Sequence, residues 1–190
     1  MKELEERILR EGRVLPGDVL KVGSFLNHQI DAALTMRMGG EIAGLYSGCG
    51  VTRVLTVETS GIPLAFCAAF KLGVPMVFAK KNRTSNLSGG LYQTVVHSYT
   101  HNTDYTVVVE KQFLSPGDRV LIVDDFLANG KALQGLRELV QMAGAEVVGA
   151  AVAIEKGFQP GGAELRASGM RVESLAVIDS LEGGKVSFRG

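Results

Sequence analysis

Four apolar residues in succession, Val120, Leu121, Ile122 and Val123, run directly into two carboxylates, Asp124 and Asp125, and related sequences of events recur along the chain. A strand without a polar residue at alternate positions has both faces covered, as in a parallel sheet between layers of helices. Arg53–Val57 predicts another strand, ending in the polar turn 58–61. Residues 75–79 predict a third, with Lys80 and Lys81 at its end, and residues 146–154 a fourth that ends at Glu155 and Lys156. A last strand is expected over 171–178. Helical periodicity fills the intervals. Lys2–Glu11 puts Leu4, Ile8 and Leu9 on one face before Gly12, and Asp31 is placed to cap a helix reaching about residue 46. Ile62–Leu72 stops at Gly73, residues 133–142 stop at Gly144, and Pro160 opens a short helix that Gly169 ends. The alternation predicts an α/β fold with a parallel sheet flanked by helices.

Three stretches break the alternation. Residues 14–22 and 24–31 are too irregular for either period, yet the second holds Asn27 and His28 among apolar neighbours, as a pocket lining does. Residues 82–92 are polar, contain glycine and have no period, which predicts a mobile connection. Residues 93–100 and 104–110 read as two strands of a hairpin turning at 101–103. With no linker, repeat or low-complexity segment, residues 1–190 read as one domain, with a small accessory lobe from the N- and C-terminal segments.

Composition narrows the picture. A chain of 190 residues can bury roughly 70% of its unfolded surface without a staple. Lys plus Arg and Asp plus Glu both number 20, so no overall field draws the chain to nucleic acid or an anionic membrane, and any anion site must be local. Cys49 and Cys67 form neither a close pair nor a metal motif, which fits a reducing cytoplasm. The charged first residues do not read as a signal peptide, and no uncharged run approaches membrane length. His97 and His101 have the spacing of a helical metal pair, but they fall on strand and turn without a third ligand, so no protein ligand to a metal is assigned.

In a parallel sheet the polar strand ends share one edge, where ligands gather. Asp124 and Asp125 can accept hydrogen bonds from vicinal sugar hydroxyls. The segment Ala128, Asn129, Gly130, Lys131, Ala132 leads into a helix whose free N–H groups and positive dipole end suit a phosphate. Carboxylates beside a phosphate cradle point to a sugar phosphate. The bland reading is that the two aspartates cap a helix or end a Rossmann-like unit. Thr59, Ser60 and Gly61 form a backbone-rich turn able to hold a second phosphate group. Lys80 and Lys81 add cations at the same edge, or form a solvated basic turn.

An apolar strand, an acidic pair, a spacer and a glycine loop resemble the ribose-phosphate signature of type I phosphoribosyltransferases. Asn129 and Ala132 stand where most of that family has hydroxyl residues, and backbone amides with Asn129 can substitute. The resemblance implies 5-phosphoribosyl 1-diphosphate as donor and a hairpin hood over the substrate. It also implies Mg2+ held mainly by the diphosphate and ribose oxygens, a diphosphate loop at 59–61 that often carries a non-proline cis peptide, and a homodimer. Leu20 with residues 24–27, residues 125–130 and residues 154–160 look, more narrowly, like the bacterial xanthine phosphoribosyltransferases. By that likeness Leu20, Asn27 and Lys156 contact xanthine and Ala128 to Ala132 bind the donor, in a purine-salvage reaction giving xanthosine 5′-monophosphate. The chemistry agrees, because xanthine has oxygens at positions 2 and 6, and Lys156 and the Asn27 amide can donate to them. Guanine or hypoxanthine as substrate remains an alternative, with Asn27 a buried helix-entry group and Lys156 a solvated turn. A donor-sensing regulator would add a basic face or a DNA-binding domain, and neither is visible.

Overall fold

The alternation inside the run from Val120 to Val123 builds two cores. Val120 and Ile122 belong to one apolar cluster, with Leu55, Leu136 and Val140, while Leu121 and Val123 belong to another, with Leu34, Met38 and Leu64. Both faces of this strand are therefore dry, as its unbroken apolar sequence requires.

The computed structural model describes residues 1–82, 90–98 and 103–189. In chain order the elements are α1 (Lys2–Glu11), β1 (Arg13–Leu15), β2 (Val19–Lys21), a π-helical turn (Gly23–Asn27), α2 (Ala32–Leu45), β3 (Arg53–Val57), α3 (Ile62–Leu72) and β4 (Met76–Asn82). They continue with β5 (Leu91–Ser98), β6 (Thr103–Glu110), β7 (Arg119–Leu127), α4 (Lys131–Met142), β8 (Glu146–Lys156), α5 (Gly161–Ala167), β9 (Val172–Ser180) and β10 (Ser187–Phe188).

One sheet has eight strands in the order β10-β9-β8-β7-β3-β4-β6-β5. Its centre, β9 to β4, is parallel, with β10 antiparallel at one edge and the β5–β6 hairpin at the other. From β3 the chain moves to β4 on one side, then crosses back to β7 on the other. The order in which strands are added thus reverses between β3 and β7, and such a switch point opens a crevice at the carboxyl ends of the strands.

Several boundaries differ from the sequence reading. The strand expected to stop at Val123 runs to Leu127, because Asp124, Phe126 and Leu127 keep partners in Val152, Ile154 and Glu155. The third strand continues past Ala79, since Lys80 and Lys81 pair with Val108 and Val107 of the hairpin. Lys80, Lys81, Glu155 and Lys156 are therefore strand residues rather than turn residues. Residues 14–22, left without an element, fold as the β1–β2 hairpin. The expected hairpin turn lies largely outside the described residues, as do His101 and most of the connection expected to be mobile.

The two ends of the chain meet. The Met1 amino group donates to the Leu175 carbonyl, and β1 contacts the turn Glu182–Gly184. Asp31 caps α2 as expected, accepting from Leu34 N at 3.0 Å.

Candidate active site

Asp124 and Asp125 lie at the switch point, 6% and 7% exposed. Burial pushes the Asp124 carboxyl well above the usual carboxylate range, and the Asp125 carboxylate beside it pushes the same way. The Asp125 N–H, donating to Asp124 Oδ1 at 2.9 Å, and the Lys81 charge work against that rise. Asp125 has a different neighbour: Asn27 Nδ2 donates to its Oδ2 over 3.2 Å. The π-helical turn that carries Asn27 buries Phe25 and Leu26 and so aims the amide at the acid pair.

Across the crevice, β3 ends in the turn that holds Thr59, Ser60 and Gly61, and the Glu58–Thr59 peptide is cis, as the family likeness implied. Glu58 anchors the turn to β4 at both ends of the residue. Its N–H donates to Ala79 O at 3.0 Å, and its Oε1 accepts from Lys81 N at 2.5 Å. Gly61 is pressed against the acids. A Cβ built there would lie 2.6 Å from Asp124 Oδ1, so no side chain fits without displacing the carboxylate. Lys81 Nζ stands 5.0 Å from the Tyr105 ring centroid, and Tyr105 is raised by burial and by the Asp124 charge. Of the two lysines, Lys81 is the one whose charge bears on Asp124, and both border an outer groove with Phe78, Leu91 and Phe113.

On the other side β7 leads through Ala128 and Asn129 to Gly130, whose φ of 74° favours glycine. Helix α4 begins at the next residue, Lys131, so the first N–H groups of the helix, including that of Ala132, face the loop without intrahelical partners. Ala128, Asn129, Gly130, Lys131 and Ala132 line a hollow closed on its far side by His97 and Tyr105 of the β5–β6 hairpin.

The sequence reading missed what supports this loop. Gly161 N donates to Ala128 O at 3.1 Å, and a Cβ on Gly161 would come within 2.3 Å of that oxygen and 2.4 Å of Gly130 N. The start of α5 is thus flush against the loop of Ala128, Asn129 and Gly130. Glu155 braces the same helix. It is 2% exposed and accepts from Arg166 at 2.8 and 2.7 Å and from Ser174 at 2.5 Å. Burial alone would raise its carboxyl, but the hydrogen bonds from Arg166 and Ser174 hold it below its ordinary value. The signal available was the Gly161-Gly162 pair after Pro160, which permits close backbone approach.

Lys156 and Leu20, expected from the sequence on the base side, are placed differently. Lys156, last in β8, is half-buried. Burial lowers its pKa, with the Asp18 carboxylate opposing, and its ammonium donates to Asp18 O at 2.8 Å. Leu20 points from β2 into the core cluster that includes Val22 and Phe25 and is 7% exposed. The structure therefore joins Asn27 to the acid pair directly, while Lys156 reaches the accessory hairpin.

Among the described residues no group of three or more His, Cys, Asp and Glu side chains could hold a metal ion. The buried carboxylates of Asp124 and Asp125 could meet a cation brought in with other ligands, but two adjacent acids do not by themselves make a cage for one.

Residues 29–165 match the profile of the family described as "Phosphoribosyl transferase domain". The chain is 53% identical over 192 residues to a xanthine phosphoribosyltransferase of Bifidobacterium longum subsp. infantis, covering 100% of both chains. It is 50% identical over 189 residues to one of Limosilactobacillus fermentum, covering 100% of this chain and 97% of the relative. Among solved structures, an adenine phosphoribosyltransferase from Rhodothermus marinus superposes with a TM-score of 0.74 at 24% identity, covering 94% of this chain and 100% of that one.

Proposed function

This chain belongs to the phosphoribosyltransferase family, and we propose that it transfers the 5-phosphoribosyl group of 5-phosphoribosyl 1-diphosphate to xanthine, giving xanthosine 5′-monophosphate and diphosphate. The observation that carries the reaction type is the position of Asp124 and Asp125 at the switch point, flanked by two backbone-rich turns. A sugar with a phosphate at each end matches that spacing of acid and anion sites. The base assignment is supported by 50–53% identity to xanthine phosphoribosyltransferases over the whole of this chain.

In this reading Ala128, Asn129, Gly130, Lys131 and Ala132 hold the 5′-phosphate, and Thr59, Ser60, Gly61 and Lys81 hold the diphosphate, while Lys80, next to Lys81 on β4, takes no part in it. A nitrogen of the base attacks the anomeric carbon as the bond to the diphosphate oxygen breaks. Asp124 and Asp125 hold the ribose hydroxyls and stabilise the positive charge that develops on the sugar. Asn27 and Lys156 donate to the two exocyclic oxygens of xanthine, and Leu20 backs the base pocket. Asp124 and Asp125 are the carboxylates that would face an Mg2+ ion brought in with the donor, and that ion would supply positive charge to the leaving diphosphate. The β5–β6 hairpin, whose His97 and Tyr105 already border the phosphate hollow, closes the site against water.

One domain carries the whole reaction, working in the cytoplasm as a homodimer. Two free cysteines suit a reducing compartment, and the groove bordered by Phe78 and Phe113, 38% and 45% exposed, offers an apolar face to a second copy. Formation of the nucleotide by the purified protein from donor and xanthine, set against guanine and hypoxanthine, tests the assignment.

A further inference from the structure

Thr56 lies in β3 one residue before the strand ends, and it is wholly buried. Its hydroxyl has no hydrogen-bond partner among the described residues. Buried hydroxyls are nearly always paired, because leaving one unpaired costs stability. The surroundings are those of the crevice floor. A Cβ on Gly61 would lie 2.3 Å from Thr56 Oγ1 and 2.6 Å from Asp124 Oδ1, so the two oxygens converge on the same glycine. Leu55 pairs with Ile122, which sets Thr56 and Asp124 at the same end of neighbouring parallel strands. Asp124 Oδ1 accepts the Asp125 N–H and, as a carboxylate oxygen, can take a second donor.

We propose that Thr56 is a positioning residue for Asp124: once the turn of Thr59, Ser60 and Gly61 engages the diphosphate, the Thr56 hydroxyl donates to the Asp124 carboxylate and fixes it against the ribose. The inference rests on the transferase reading. It accounts for a hydroxyl kept at a cost where valine, of nearly the same shape, would fill the space without one.

Thr56→Val and Thr56→Ser separate this role from simple packing. Thr56→Val is expected to melt no lower than wild type, keep its KM for xanthine and lose about tenfold in kcat, the scale of one hydrogen bond to a charged group. Thr56→Ser, which keeps the hydroxyl, is expected to recover most of that loss. Wild-type kcat in a folded Thr56→Val variant, or a Thr56→Ser variant as slow as Thr56→Val, overturns the role of Thr56 while leaving the transferase reading intact. A wild-type protein inactive with the donor and every purine overturns both.

Discussion

Asn27 Nδ2 lies 3.2 Å from Asp125 Oδ2, so the residue assigned to the base is hydrogen-bonded to a residue assigned to the sugar. In the proposed reaction, base reading and ribose clamping then share a contact. Asn27→Ala is expected to narrow the preference for xanthine over hypoxanthine and also to slow turnover with xanthine by freeing Asp125. Residues in contact are non-additive. The Asn27→Ala, Asp125→Asn double variant should therefore lose less in kcat/KM than the sum of the single losses, and strict additivity would show that the contact carries no function.

Asp124→Asn and Asp125→Asn are each expected to lower kcat by at least tenfold, about 1.4 kcal/mol. Near-normal turnover in both would remove the sugar clamp. Asp124→Asn should at the same time raise the melting temperature at neutral pH. A carboxyl whose folded pKa is raised makes ionisation costly to the folded state, and the cost is complete once pH exceeds the folded value. The advantage of the amide should shrink as pH falls towards the unfolded aspartate value of about 3.9. A variant less stable than wild type across the whole range would contradict this.

The sequence carried the sheet and the acid pair because both are local. Strand runs such as that from Val120 to Val123 declare double-sided burial by themselves, and Asp124 with Asp125 stands out against them. What it could not show depends on contacts distant along the chain. Glu155 reads as the start of a polar turn until Arg166 is seen to pair with it, and Ser174 to donate to it, inside the strand. Lys80 and Lys81 are drawn into β4 only because β6 pairs with them. Gly161 reaches the loop of Ala128 to Gly130, and Tyr105 the hollow beside it, from other elements, and the orphan hydroxyl of Thr56 is visible only once Gly61 packs above it.

Gly161→Ala tests the support beneath the phosphate loop. The new Cβ would meet Ala128 O, Gly130 N and Asn129 C at 2.3 to 2.5 Å, so the loop must shift. Donor affinity, measured by calorimetry, is expected to fall by about tenfold, or about 1.4 kcal/mol, in a folded variant. Unchanged donor affinity would show that the loop tolerates displacement and does not set phosphate binding.

Arg166→Met strips the partner from buried Glu155. Breaking a buried pair costs about 3–5 kcal/mol; Arg166 is 40% exposed on its side chain, so about 2 kcal/mol is expected near neutral pH. Because the folded pKa of Glu155 is depressed, its contribution is present above the unfolded glutamate value of about 4.3 and is lost as pH falls through the folded value. Denaturant unfolding should therefore show a gap between wild type and variant that closes below about pH 4. A gap independent of pH would assign the loss to packing.

The central claim is the choice of base, and steady-state kinetics of the purified protein with 5-phosphoribosyl 1-diphosphate, Mg2+ and each of xanthine, guanine and hypoxanthine tests it most directly. Hypoxanthine lacks the 2-oxygen and guanine carries an amino group there, so a donor aimed at that position is left unpaired, at about 1–3 kcal/mol. Xanthine is accordingly expected to have a kcat/KM about tenfold or more above either rival. Guanine or hypoxanthine used as efficiently as xanthine would contradict the assignment.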